Sequence, residues 1–220
     1  MAGVHRNPRR IVFVHGIWVP AMQLRVLAKR MLAEHGFDGL LFDYASVRGS
    51  LDDNAALLAE FIAQQDPPGV HVVGHSLGGI VALRMLRNHA DAGVARVVCL
   101  GSPLNGSRAA AALTRHRWGR ALAGRTLSGG VLDEPASTWA AAALARCEVG
   151  SIAGTMAIGA GRLLTAFGGD NDGTVAVAET RLPGLRDHLC LPVNHTGLVL
   201  SANVAAQIAA FLERGRFLEQ

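Results

Sequence analysis

Val70 to Gly79 reads VHVVGHSLGG, a short apolar run that passes straight into a serine set among glycines. Val70 to Val73 has the length and β-branched content of a buried strand. The helical pattern of Ile80 to Asn88 follows at once. Between them G-x-S-x-G falls on Gly74, Ser76 and Gly78. A serine on a sharp strand-to-helix turn has its hydroxyl held clear of the sheet, and the glycines let the main chain pass closely on either side.

The same alternation extends outward in both directions. Upstream, Arg10 to Val14 is an apolar strand that stops at His15-Gly16. Pro20 to His35 has apolar residues at helical spacing (Met22, Leu24, Leu27, Met31, Leu32) and ends at Gly36, a glycine C-cap. Leu40 to Tyr44 reads as a strand. Leu51 to Gln65 reads as a helix, with Asp52 and Asp53 in its first turn and Pro67-Pro68 beyond its end. Downstream, Val94 to Leu100 is a further strand, Ser151 to Ile158 and Asp187 to Val193 are later ones, and Gly197 to Arg214 is a closing amphipathic helix. Strands alternating with helices predict an α/β fold, a parallel sheet with helices on both faces. The alternation lapses between Ser102 and Cys147. Two helical pieces, Arg108 to Arg120 and Ser137 to Arg146, flank a loose centre, GRTLSGG, so residues 104–148 read as a helical excursion from the sheet.

A chain of 220 residues fits one domain, 1–220, containing that insertion. Half the residues are hydrophobic but only 5% are aromatic, and 26 are glycine, so the core must be built from Ala, Val and Leu with close backbone approaches. No apolar run reaches the roughly 18 residues a membrane-spanning helix needs. The start shows no secretory pattern, and the expected location is cytoplasmic. Three widely spaced cysteines without a CxxC exclude a disulfide framework and a cysteine-rich zinc site. The net charge of +4 comes without a polybasic tail or a nucleic-acid motif, so no nucleic-acid partner is expected.

A serine hydroxyl needs a base to take its proton. Of nine histidines, His195 in VNHTG lies just past the last strand and before the final helix, which puts it at the carboxyl edge of the sheet with Ser76. His188 opens that strand and faces the opposite edge; His5, His35, His89 and His116 fall in terminal, capping or helical positions. The base needs an acid to fix its tautomer. GGDNDGTV offers Asp172, whose following glycine gives a turn that aims a carboxylate, and Asp170 as the alternative. Acyl transfer also builds negative charge on a carbonyl oxygen, which two fixed N–H donors can hold. The backbone N–H groups of Ile17, after His15-Gly16, and of Leu77, after the serine, are the natural pair.

The order Ser76, Asp172, His195 is that of the α/β-hydrolases, and nearly the whole chain outside 104–148 resembles that superfamily, in its small bacterial lipase and carboxylesterase branch. FVHGI resembles the branch's oxyanion segment, GHSLGG its elbow, NDGTV its acid turn and NHTGLVLS its histidine loop. The resemblance implies an ester hydrolase working through an acyl-enzyme on Ser76, without cofactor. With only nine residues before the first strand, the resemblance implies a sheet without the two leading strands of the full fold, of about six strands. Some related lipases carry a calcium-binding aspartate soon after the histidine; Thr196 and Gly197 stand here, so no metal is expected.

In such folds an excursion at this edge forms a lid. Residues 104–148 carry Arg108, Arg115, Arg117, Arg120 and Arg125, with no acid between Asp91 and Asp133. These cations are either a solvated helix face or, with Arg115, Arg117, Arg120 and Trp118 foremost, a surface for an anionic substrate or a transient lipid interface. The expected partner is a small-molecule or lipid ester. The competing readings are an acyltransferase or thioesterase with the same triad, and a non-catalytic binding module on the same scaffold.

Overall fold

Ile11, Val12, Phe13 and Val14 expose no surface at all, and their side chains divide by parity between two cores. Val12 and Val14 join a cluster with Leu58, Ile80 and Leu83, while Ile11 and Phe13 join one with Leu27, Met31, Ile208 and Phe211. A strand buried on both faces must lie in the middle of a helix-covered sheet. The structure, a computed structural model, describes residues 9–65, 69–115, 117–158 and 169–219, without the side chains of 117, 118, 120 and 122.

Six strands form the sheet: β1 (Arg10–Val14), β2 (Asp38–Phe42), β3 (Val70–His75), β4 (Val94–Leu100), β5 (Glu148–Gly154) and β6 (Asp187–Leu191). All pairings are parallel, in the order β2-β1-β3-β4-β5-β6. One core lies under α1 (Arg25–His35) and α7 (Ala202–Arg214), the other under α2 (Leu51–Ala63), α3 (Leu77–Asn88) and the connection from β4 to β5. The chain runs from β1 outward to β2, then returns to place β3 on the other side of β1. That reversal opens a crevice at the carboxyl ends of β1 and β3, the place where open α/β sheets bind ligands. His15-Gly16-Ile17 leaves β1 there and Ser76 leaves β3.

Local chemistry sets the helix ends. Ser50 caps α2 by accepting from Asp53 N (3.1 Å) while Asp53 Oδ2 accepts from Ser50 N (3.3 Å). Gly36, at φ 69°, closes α1 as expected.

Several predicted boundaries shift. Leu40–Tyr44 is replaced by Asp38–Phe42, because Asp38 N already bonds to Arg9 O (2.8 Å) and pairing with β1 starts there. The strand expected over Ser151–Ile158 begins at Glu148 and ends at Gly154, paired with β4 and β6. Residues 21–24 form a separate 3₁₀ turn before α1.

The larger correction is in the excursion, which contains α4 (Arg108–Thr114), α5 (Arg117–Leu127) and α6 (Ala141–Leu144). The centre expected to be loose is ordered: α5 breaks at Gly124 (φ 67°), resumes, and continues as a wide helical turn over Ser128–Asp133. Arg125 N donates to Val47 O (2.9 Å), Thr126 Oγ1 donates to Gly49 O (2.7 Å), and Asn54 Nδ2 donates to Thr126 Oγ1 (2.9 Å). Thr126 is fully buried and Val131 nearly so. Long-range anchoring outweighs the low helix propensity of the glycines.

Candidate active site

Two non-glycine residues among those described have positive φ, Trp18 (62°) and Ser76 (54°), and both lie at the crevice. At ψ −121° Ser76 is outside the ordinary left-handed region, a strained turn held by its surroundings. Ser76 N donates to Leu100 O (2.8 Å), which ties the elbow to β4. Gly74 admits α3 because any Cβ there would sit 2.5 Å from Gly79 N. A Cβ on Gly78 would strike the carbonyl oxygens of Val14 and His15, so this glycine lets α3 begin directly beneath β1. At Gly16 a Cβ would meet Ser76 Cβ at 3.2 Å. Gly74 and Gly78 are therefore contact points between main chains, and Gly16 leaves room for the Ser76 side chain.

The acid and the base meet. His195 Nδ1–H donates to Asp172 Oδ2 at 2.6 Å, and His195 N donates to Asp172 O at 2.9 Å. Asp172 is 1% exposed, and its Oδ1 accepts from Thr174 N (2.9 Å) and Val175 N (2.7 Å). Each carboxylate oxygen thus has its own donors, which fixes the carboxylate's orientation. Gly173, at φ 90°, makes that turn, and its N–H donates to Asn171 Oδ1 (3.0 Å). Asp170 is exposed and its carbonyl serves Val177 N; the structure brings Asp172, not Asp170, to the histidine. With Nδ1 protonated, His195 Nε2 is left as an acceptor. The ring is 16% exposed. Among the described residues no hydrogen bond joins Ser76 Oγ to His195 Nε2. The serine reaches the pair through Gly101, next to its partner Leu100: a Cβ there would lie 2.9 Å from Asp172 Oδ2 and 3.1 Å from His195 Nδ1.

The donors expected for an oxyanion sit at two differently held turns. Leu77 is the first residue of α3, whose initial N–H groups lack helical partners and point toward the helix's positive end. Ile17 is placed by a network that sequence reading missed. His15 Nδ1–H donates to Gly16 O (2.7 Å), Tyr44 OH donates to His15 O (2.9 Å), and Tyr44 N donates to His15 Nε2 (3.3 Å). The two rings stack at 4.3 Å. Gly16 O and Ile17 N–H belong to one planar trans peptide and point in opposite directions, so pinning the carbonyl aims the N–H. Burial lowers the proton affinity of His15 against the pull of Gly16 O and of Asp43, 3.3 Å away, which agrees with a neutral ring.

Three more site residues went unread. Gly101 and Gly154 have no motif around them, although a Cβ on Gly154 would press on Asp172 Cβ at 2.8 Å. His75, fully enclosed at the end of β3, approaches the main chain of His195 (3.1 Å). Two histidines, His71 and His75, in a strand of otherwise apolar residues and glycine are the signal that marks it.

Of the arginines expected over the site, Arg115 is exposed and Arg108 caps its helix onto Glu179, its N–H donating to Glu179 Oε1 (2.7 Å). The side chains of Arg117, Trp118 and Arg120 lie outside the described residues, as do His5 and His116. Cys99 and Cys147 are buried and Cys190 is half-buried, all three free. Among the described residues no group of three His, Cys, Asp or Glu side chains is placed to hold a metal, and no helix is long and apolar enough to cross a membrane.

The sequence profile of the alpha/beta hydrolase family matches residues 11–212. Among solved structures, a lipase of Bacillus licheniformis in its mature form superposes with a TM-score of 0.77 at 23% identity, covering 96% of this chain and 93% of that one. A metagenomic carboxyl esterase gives 0.67 at 21%, over 97% of this chain and 78% of its own. A pyrethroid hydrolase of Sphingobium faniae gives 0.61 at 15%, over 93% and 97%. At these identities the likeness is one of fold. A comparison with curated proteins finds no match.

Proposed function

This chain belongs to the alpha/beta hydrolase family, and from that premise we propose that it is a serine hydrolase of carboxylic esters, of the lipase or carboxylesterase kind. The observation that carries the reading is the 2.6 Å bond from His195 to a buried, otherwise satisfied Asp172, formed beside a strained serine at the crevice of the sheet. Ser76 Oγ attacks the ester carbonyl while His195 Nε2 takes its proton. Asp172 holds the imidazole in the tautomer that can accept and stabilises the imidazolium that forms. The carbonyl oxygen gathers charge against the N–H groups of Ile17 and Leu77, and the positive end of α3 adds to the same field. Collapse expels the alcohol, which leaves with the proton from His195. Water, deprotonated by the same nitrogen, then cleaves the acyl-enzyme and restores Ser76.

We read 104–148 as a cap that sets which ester enters. It leaves β4 at the crevice edge and returns to the start of β5 at the opposite edge, and Glu179 ties its first helix to the acid turn, since Glu179 Oε2 also accepts from Ala176 N (2.9 Å). If its cations meet anionic substrates or a lipid interface, replacing Arg115, Arg117 and Arg120 with Gln changes the ratio of anionic to neutral ester turnover. An unchanged ratio removes that role.

The deciding experiment is hydrolysis of p-nitrophenyl esters from acetate to palmitate, below and above micelle formation, beside Ser76→Ala. The expected result is turnover that vanishes in the variant, with fluorophosphonate labelling of Ser76. A short-chain maximum identifies a carboxylesterase, and a long-chain maximum that rises at the interface a lipase. Turnover that persists in Ser76→Ala, or no labelling at all, overturns the reading.

A further inference from the structure

We propose that His75, the residue before the nucleophile, is a positioning residue that sets the distance between Ser76 and His195 by holding the main chain of the base. The inference rests on the roles proposed above for those two residues.

His195 sits in an irregular stretch between β6 and a 3₁₀ turn at Gly197–Val199, so no ladder or helix fixes it. Three hydrogen bonds hold it instead. Two come from one residue, Asp172, which receives the backbone N–H and the ring Nδ1–H of His195. Asp172 is itself in a turn, and its own ties run to Thr174 and Val175 in that turn. These bonds orient the histidine with respect to the acid and leave its distance from the serine unspecified.

The third bond crosses the site. His75 Nε2 lies 3.1 Å from His195 O, and a carbonyl only accepts, so the ring carries its proton on Nε2 and donates it. His75 and Ser76 are consecutive. The covalent chain from the nucleophile to the donor is a single residue long, and the acceptor belongs to the base itself. His75 is the last residue of β3, paired with Leu100 of β4, so the donor stands on the sheet and not on a loop. The two imidazoles also lie against each other, 4.6 Å between centroids and tilted by 44°.

Packing alone does not account for a histidine here. With the proton on Nε2, Nδ1 is a buried acceptor without a partner among the described residues. An orphaned buried nitrogen destabilises, and phenylalanine would fill much the same space without it. What histidine adds is one N–H aimed at His195 O. Burial, followed by the neighbouring His195, lowers its pKa to about 3, so the ring stays neutral and puts no like charge beside His195 when that residue takes up the proton of Ser76.

The test uses the full chain and compares His75→Phe, which keeps a ring and removes the donor, with His75→Gln, whose amide restores a donor at similar reach. Val204→Ala, a truncation of a fully buried residue on α7, serves as a control for lost stability. Turnover of p-nitrophenyl butyrate well below each melting temperature is read as kcat and KM. The Nδ1 proton of His195 is followed by NMR, which needs no substrate. For His75→Phe the expected result is a kcat lower by about 10- to 100-fold with KM little changed, and a shifted or broadened Nδ1 resonance. His75→Gln recovers most of the loss in both readouts, and Val204→Ala changes neither. Should His75→Phe not fold, His75→Asn takes its place, with its donor one methylene too short to reach.

Wild-type kcat and resonance in the phenylalanine variant, or equal losses in the phenylalanine and glutamine variants, overturn the proposal. Failure of the enzymatic reading appears differently, as wild-type protein without Ser76-dependent turnover. The resonance and its rescue by glutamine still decide the positional claim in that case.

Discussion

The crevice edge of the sheet and the β4–β5 excursion are both irregular, yet they are held in different ways. At the edge, turns are fixed by short bonds from side chains to main chain and by glycines packed against carbonyls: His15 on Gly16, Tyr44 on His15, and Asp172 on Thr174 and Val175. The excursion is held by Ala and Leu packing, with the tie from Arg108 N to Glu179 at its start and a few polar ties further along. Thr126 bonds to Gly49 and Asn54, and Arg84 reaches Glu134 (3.3 Å) while lying over the ring of Trp139 (4.3 Å). Beneath these later ties is a polar cleft of about 470 Å³ lined by Asp52, Arg84, Arg125 and Glu134, none of them a residue of the proposed triad. Bonds to main chain fix positions to a fraction of an ångström, which chemistry demands. Apolar packing fixes a layer while allowing small shifts within it.

Substitutions can break this division. The largest effect belongs to Asp172→Asn, which keeps the shape of the side chain and favours the wrong tautomer of His195; kcat should fall by about 10³- to 10⁴-fold with the fold intact, as seen by circular dichroism beside steady-state kinetics. Next is His15→Phe, which keeps the ring and releases Gly16 O. If aiming Ile17 N–H is its task, kcat drops by about 10²-fold and KM stays close to wild type. A loss confined to the melting temperature would make His15 a packing residue only.

Thr126→Val sharpens the comparison from the other side. The methyl fills the space, but the bonds to Gly49 and Asn54 disappear, and chemical denaturation should register about 1–3 kcal/mol of lost stability. Turnover of a short ester should stay within about twofold of wild type, because the tie lies in the excursion. A fall in kcat to the level of the His15 variant would show that the two regions act as one unit.

The comparison also has a dependence on pH. Burial lowers the pKa of His75 to about 3 and that of His188 to about 4, below the ordinary value of 6.5. A group whose folded pKa is depressed binds more protons when unfolded, so its contribution is complete above pH 6.5 and declines as pH falls towards 4 and then 3. Each histidine adds at most about 1.4 kcal/mol of slope per pH unit. The melting temperature of His75→Gln should therefore fall less steeply between pH 6.5 and 4 than that of the wild type. Equal slopes would show that His75 is not held neutral by the fold.

What could be read beforehand follows the same division. Apolar strands such as Arg10–Val14 and Val94–Leu100, a helix start marked by Asp52 and Asp53, and the serine, acid and histidine in their turns are local patterns, each completed within about ten residues. Choosing Asp172 over Asp170 was also local, since Gly173 supplies the turn. His15 and His75 were not legible in their roles, because each acts on a backbone atom whose position depends on the folded sheet. Gly101 and Gly154 matter through Cβ atoms they lack, against residues far away in the chain. The order in GRTLSGG was hidden for the same reason: its anchors, Val47, Gly49 and Asn54, lie some seventy residues upstream.

Gly16, Gly74, Gly78, Gly101 and Gly154 together line the crevice with main chain. For laboratory evolution this sorts the molecule in advance. A saturation library spread evenly over the chain would lose members at Gly74, Gly78, Gly101 and Gly154 whatever the selection, because a Cβ at each has backbone, or the proposed triad, in its way. Within 104–148 the same wall stands at Gly119 and Gly124, where a Cβ would strike the carbonyl oxygens of Leu113 and Val47, and the exposed positions of that segment are the freer ground. On the proposed reading of 104–148 as a cap, new substrate preferences should be sought there, with the edge of the sheet left as it is.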